Sequence, residues 1–114
     1  MARPTLTVRH GSRVSHERFE TVEKAIDALR ERAEAIRAEG ELRTVSAIRD
    51  YEAAQQVHAR LEVSAGGRLR RREAGIDVMG DGAMVPYRGG LSRRLLEPAE
   101  GESPYEAIRA ALSD

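Results

Sequence analysis

Positions 74 to 88 read AGIDVMGDGAMVPYR, a pattern that predicts a β-hairpin. Asp81-Gly82 is a strong hairpin signal, because a two-residue turn of this type needs positive φ at both central positions. Such a turn pairs Gly80 with Ala83 and thereby sets the register of both strands. The cross-strand pairs that follow are Val78 with Val85, Ile76 with Tyr87, Met79 with Met84, and Asp77 with Pro86.

This predicted hairpin has apolar side chains on both faces. The pairs formed by Ile76, Val78, Val85 and Tyr87 make the better core face, since such residues pack well across strands. The opposite face then carries Met79 and Met84 beside Pro86, with Asp77 exposed to solvent. Exposed methionines form an adaptable apolar surface of the kind used in binding. We therefore expect a partner interface composed of Met79, Met84 and Pro86, unless the segment 68–73 folds over the two methionines.

The N-terminal half predicts a first hairpin and a long helix. Gly11-Ser12 suits a type II′ turn between strands at 5–10 and 13–19, although a helix starting at Ser15 is the alternative. Between Val22 and Ile36 apolar residues recur at spacings of three and four, which is typical of one helical face. Thr21 suits the N-cap of this helix, and Gly40 suits its C-terminal end. Further strands are expected at 43–51, 56–64 and 91–96.

The C-terminal segment predicts a short helix. Ser103 and Glu106 form a capping box, with Pro104 at the first helical position. The expected fold class is α+β: a two-layer sandwich in which an antiparallel sheet carries one long and one short helix on one face, in the order ββαββββα. A chain of 114 residues is the size of a single domain, so one domain is expected over residues 1–114.

The composition is that of a globular protein with no net charge. Nineteen basic side chains balance nineteen acidic ones, which argues against a protein that binds nucleic acid through its bulk charge. The chain has no cysteine, which is consistent with a reducing compartment, and we expect a cytoplasmic location. No apolar run approaches the roughly 18 residues that a membrane span requires, so no membrane association is expected.

One sector of the sequence is locally basic. Positions 66–96 contain seven arginines and three acidic residues. Arginine binds phosphate with two parallel hydrogen bonds, so this sector is a candidate for contacting nucleic acid. The alternative is a solvated loop, which the scarcity of aromatic residues for base stacking favours. The candidate phosphate-binding residues are Arg68, Arg70, Arg71, Arg72, Arg93 and Arg94.

No motif for catalysis, cofactor binding or metal binding is present. The serines lack the surroundings of a nucleophile, and no phosphate-binding glycine loop occurs. His10 and His16 are expected on opposite faces of their hairpin, so they cannot share a metal ion. We therefore expect neither an enzyme nor a cofactor. The expected function is a small non-catalytic interaction module that self-associates, as a homodimer, through a sheet face. The alternative is an RNA- or ribosome-associated protein that binds phosphates through the sector Arg68–Arg94.

Overall fold

Six strands and two helices are seen in a computed structural model that describes residues 3–44, 57–66, 71–90 and 93–113. The strands form one antiparallel sheet in the order β2-β1-β3-β4-β5-β6. This arrangement confirms the expected α+β class and the order ββαββββα. The elements are β1 Thr5–His10, β2 Arg13–Arg18, α1 Val22–Thr44, β3 Val57–Ala65, β4 Arg72–Met79, β5 Met84–Arg88, β6 Arg94–Leu95 and α2 Pro104–Ser113.

The core is formed by apolar residues that alternate with polar residues along the central strands. In β3, Ala59, Leu61 and Val63 are buried against the helices, while the residues between them point the other way. Both helices pack on the same side of the sheet. Among the described residues no helix lies on the opposite side, which we call the open face. Its central side chains are Thr7, Arg9, Arg60, Glu62, Asp77 and Tyr87.

The helix ends are set by local signals, with one exception. The backbone N–H of Lys24 donates to Thr21 Oγ1 at 3.1 Å, and that of Glu106 donates to Ser103 Oγ at 3.2 Å, so both N-caps are confirmed. The predicted end of α1 at Gly40 is wrong, because the helix runs on to Thr44. A glycine inside a helix costs only about 1 kcal/mol relative to alanine, and does not by itself end one. Neither helix of the described ranges combines the length and apolarity needed to cross a bilayer.

Two of the predicted strands agree with the structure only in part or lie partly outside the described residues. The strand expected at 43–51 begins inside α1, and its positions 45–51 lie outside the described residues. Of the last predicted strand, 91–96, the described residues show Arg94–Leu95 as a strand, and positions 91–92 lie outside the described residues. The first hairpin is confirmed, with His10 opposite Arg13 and Gly11 at a φ of +64°.

The turn of the second hairpin contains three residues, so the register predicted for it is wrong. The backbone N–H of Met79 donates to the carbonyl of Ala83 at 2.8 Å, and that of Gly82 donates to the carbonyl of Met79 at 2.9 Å. Gly82 has a φ of +91°, and Asp81 Oδ1 accepts a hydrogen bond from the N–H of Ala83. These features describe a turn closed by a glycine in the left-handed region.

A shift of one residue moves every side chain of β5 to the other face of the sheet. Val78 is opposite Met84 and Ile76 is opposite Pro86, so Met84 and Pro86 lie on the helix-covered face. Met84 packs against the core, with its sulfur 3.2 Å from the hydroxyl of Tyr105, and Pro86 is buried. The predicted Met79–Met84 pair therefore does not exist. Of the three residues predicted to form the partner interface, only Met79 lies on the open face.

Candidate functional site

A shallow depression of about 220 Å³ lies on the open face. It combines three guanidinium groups, one imidazole and two hydroxyls with a single carboxylate. Arginine and hydroxyl donors together form the usual environment of a bound oxyanion. The lining residues are Thr7, Arg9, His16, Arg60, Glu62, Ser64 and Arg71.

Asp77 is the buried charge at the centre of the open face. Its side chain is 2% exposed, so the prediction that Asp77 is exposed to solvent is wrong, because two arginines cover the carboxylate. Arg60 donates to Asp77 Oδ1 from Nε at 2.7 Å and to Oδ2 from Nη2 at 3.3 Å, and Arg93 Nη2 donates to Oδ2. The hydrogen bond to Asp77 raises the pKa of Arg60 above its ordinary value. Two cations thus compensate one buried carboxylate.

Tyr87 also lies on the open face, although the sequence predicted it in the core. The guanidinium carbons of Arg60 and Arg93 lie 5.5 and 4.5 Å from the centre of its ring. These contacts bury the ring, which is 1% exposed. Its hydroxyl donates to Glu62 Oε2 at 2.6 Å, and burial followed by this hydrogen bond raises the pKa of Tyr87. The ring is therefore held under two arginines and is not offered to a ligand.

The carboxylates beside Tyr87 are packed closely together. Burial, and next the hydrogen bond and charge of Glu62, raise the pKa of Glu73 above its ordinary value. Arg71 opposes this shift with an ion pair to Glu73 of 2.9 Å. Glu73 therefore ionises less readily than a free carboxylate.

The arginines predicted to bind phosphate do not form one surface among the described residues. Arg71 lines the depression, and Arg93 contacts Asp77 on the same face. Arg72 instead donates to the carbonyl of Leu112 at 3.3 Å, near the end of α2, and Arg94 is opposite Arg88 on the helix-covered side. Arg68 and Arg70 lie outside the described residues.

Six of the seven residues that line the depression were not predicted as site residues from the sequence, and three of these six are basic. Arg9, His16 and Arg60 come from three neighbouring strands, β1, β2 and β3. The alternation of β3 already placed Arg60 on its polar face. No local signal, however, indicated that β1 lies between β2 and β3.

Two histidine side chains contact each other at one end of the sheet. His10 and His58 come within hydrogen-bond distance across β1 and β3, at 3.1 Å between their Nε2 atoms. The Nδ1 of His16 lies 3.0 Å from Thr7 Oγ1 instead. In the described part of the chain, no three His, Asp or Glu side chains are grouped so as to hold a metal ion.

Compared with known proteins, the chain matches no family model, no curated protein and no solved structure.

Proposed function

We propose that this protein is a small non-catalytic interaction module that binds the phosphate groups of RNA through its open face. The observation that carries the proposal is the depression in which Arg9, Arg60, Arg71 and His16 converge on a face without a covering helix. A planar guanidinium binds two phosphate oxygens at once, and the hydroxyls of the depression add further donors.

The mode of binding follows from the burial of Tyr87. Proteins that read single-stranded RNA on a sheet stack its bases on exposed aromatic rings. Here the ring is covered by Arg60 and Arg93, so phosphates rather than bases are the expected contacts. Binding of this kind is insensitive to sequence and has a Kd of about 10⁻⁴ to 10⁻⁶ M at physiological salt. The cytoplasm fits this proposal, because RNA is present there and the chain has no cysteine.

Removing two arginines of the depression tests this proposal. The double variant Arg9→Gln/Arg71→Gln is expected to weaken the binding of a fluorescein-labelled single-stranded RNA equally for unrelated sequences. Each lost phosphate contact reduces the slope of log K against log salt by about 0.7, so two reduce it by about 1.4. Fluorescence anisotropy from 20 to 200 mM salt measures both effects.

The matched control removes the same charge from outside the open face. Arg32 is exposed on α1, and Arg94 lies on the helix-covered side of the sheet. The variant Arg32→Gln/Arg94→Gln should keep the salt slope of the parent protein. Equal losses in the two double variants would argue for a diffuse charge effect, and no binding at 20 mM salt would remove the proposal.

A second candidate function, self-association through the sheet face, is favoured by an apolar corner of the open face. Val57 is 46% exposed and is opposite Met79, and the half-buried Val85 lies on the same face at this end of β4 and β5. This corner replaces the expected interface: it retains Met79, while Met84 and Pro86 lie on the other side. Two copies meeting here would form the proposed homodimer.

Single charged substitutions distinguish surface contact from core packing. Met79→Glu is expected to convert a dimer at tens of micromolar into a monomer that remains folded, with a melting temperature that no longer depends on protein concentration. Met84→Glu is expected to lower the free energy of unfolding by about 1–3 kcal/mol, since it inserts a carboxylate among core residues. Light scattering and thermal melts measure the two effects, and a monomeric parent protein would contradict self-association.

A further inference from the structure

Several donor groups in the depression on the open face are not used within the protein. Arg9 is exposed, and among the described residues its guanidinium has no hydrogen bond or ion pair. Arg71 is bonded to Glu73 through Nε, which leaves its two terminal nitrogens outside that bond. Arg60 lies directly opposite Arg9 in the sheet, and two like charges in such a position repel each other. An anion bound beside the two guanidiniums relieves this repulsion, so the depression favours an anionic ligand.

His16 adds a nitrogen donor that Thr7 orients. Nδ1 of His16 lies 3.0 Å from the hydroxyl oxygen of Thr7, which leaves Nε2 as the ring nitrogen outside this contact. When the hydroxyl of Thr7 donates to Nδ1, the proton of the neutral imidazole is on Nε2, and a protonated imidazole carries a proton on both nitrogens. In both of these forms Nε2 can donate to an oxygen atom bound in the depression.

The charge around the depression distinguishes between two kinds of RNA phosphate. Four guanidiniums and three carboxylates form the charged cluster: Arg9, Arg60, Arg71 and Arg93, with Glu62, Glu73 and Asp77. The excess is one positive charge, and an imidazolium at His16 raises it to two. An internal phosphodiester carries one negative charge, whereas a terminal phosphate carries about −1.5 to −2 at pH 7 and has three acceptor oxygens. We propose that the depression binds the terminal phosphate of an RNA strand, an inference that rests on the proposed RNA binding.

A second depression gives the rest of the strand a path across the sheet. It has a volume of about 300 Å³ and also borders Arg9 and Arg60, so the two depressions adjoin at this pair of arginines. None of its lining residues is acidic; the others are Gly11, Val57, His58 and Ala59. The phosphate next to the strand end can therefore contact the same two guanidiniums from the other side.

Pairs of RNA oligonucleotides that differ only in one terminal group test this inference. Decamers of one sequence are compared as 5′-phosphate against 5′-hydroxyl and as 3′-phosphate against 3′-hydroxyl, each with fluorescein at the opposite end. Because hydrogen bonds to a charged group are the stronger ones, one phosphorylated form is expected to bind about tenfold more tightly at 100 mM salt. The pair that shows this difference identifies the end of the strand that is bound.

Substitutions separate this site from the general effect of an added charge. Arg9→Gln and His16→Ala are each expected to remove most of the preference for the phosphorylated strand, and both replace exposed residues. Arg32→Gln is the matched control, because it removes a charge from an exposed position on α1 and should leave the preference unchanged. The same preference in the parent protein and all three variants would overturn the inference.

Further outcomes distinguish this inference from the proposed RNA binding. If the parent protein binds phosphorylated and hydroxyl strands equally, the inference is overturned and RNA binding stands, whereas no binding of either at 20 mM salt removes both. Uridine monophosphate, used as a competitor, should displace the phosphorylated strand only at a much higher concentration than the unlabelled strand does, because it lacks the second phosphate. Displacement at equal concentrations would assign the depression to free nucleotides and overturn the inference.

Discussion

Replacing Gly75 with alanine is expected to lower the free energy of unfolding by about 3 kcal/mol, the upper end of the usual cost of overpacking. A Cβ at this position would lie 2.2 Å from the carbonyl oxygen of Leu61, 2.8 Å from Cα of Glu62 and 2.9 Å from the hydroxyl of Tyr87. Two of these atoms belong to the backbone of β3, so relief requires the strand itself to move. Urea denaturation followed by circular dichroism measures the loss.

The matched substitution is Gly101→Ala, where backbone conformation is the only obstacle. Gly101 has a φ of +83°, and no atom lies within 4 Å of a Cβ built there. Its expected cost is about 1 kcal/mol, the usual penalty of the left-handed region for an L-residue. If both variants lose the same stability, the close approach at Gly75 is not what excludes a side chain.

The sequence predicted those parts of the fold that depend on neighbouring residues. Strict alternation in β3 identified Ala59, Leu61 and Val63 as core residues, because a strand points successive side chains to opposite faces. The N-caps at Thr21 and Ser103 were predicted equally well, since a cap involves residues only three positions apart.

The second hairpin could not be predicted in the same way, because Asp81-Gly82 suits two different turns. It occupies both central positions of a two-residue turn, and it equally supplies the last two residues of a three-residue turn. The flanking strands have apolar residues on both faces, so the hydrophobic pattern favoured neither register. The choice nevertheless decides which face Met84 and Tyr87 occupy.

The depression on the open face could not be predicted from the sequence, because its residues come from several neighbouring strands. Arg71 and Arg72 are adjacent in sequence, but successive residues point to opposite faces, and only Arg71 reaches the depression. Arg9 and Arg60 reach it from strands separated by the whole of α1. Clustering along the sequence is therefore a poor guide to a surface formed by a sheet.

Replacing Asp77 with alanine is expected to lower the free energy of unfolding by about 2 kcal/mol. Removing one member of a fully buried ion pair costs about 3–5 kcal/mol, because the remaining charge has no partner. Here the carboxylate is buried, but the Arg60 and Arg93 side chains are 36% and 39% exposed, so water recovers part of this loss. The melting temperature and urea denaturation report the change.

An exposed ion pair provides the control for this effect. Glu23 forms an ion pair of 2.8 Å with Arg109, and both side chains are largely in solvent, so Glu23→Ala should lower the free energy of unfolding by less than about 1 kcal/mol.

The variant Asp77→Asn tests the charge more selectively, because it preserves the shape of the side chain while leaving two guanidiniums uncompensated. If the open face binds RNA, this variant should bind more tightly and with a steeper salt dependence than the parent. An unchanged RNA affinity of Asp77→Asn would mean that Arg60 and Arg93 stabilise the fold and do not contact RNA. If Asp77→Ala loses no more stability than Glu23→Ala, the buried carboxylate does not contribute to stability as argued here.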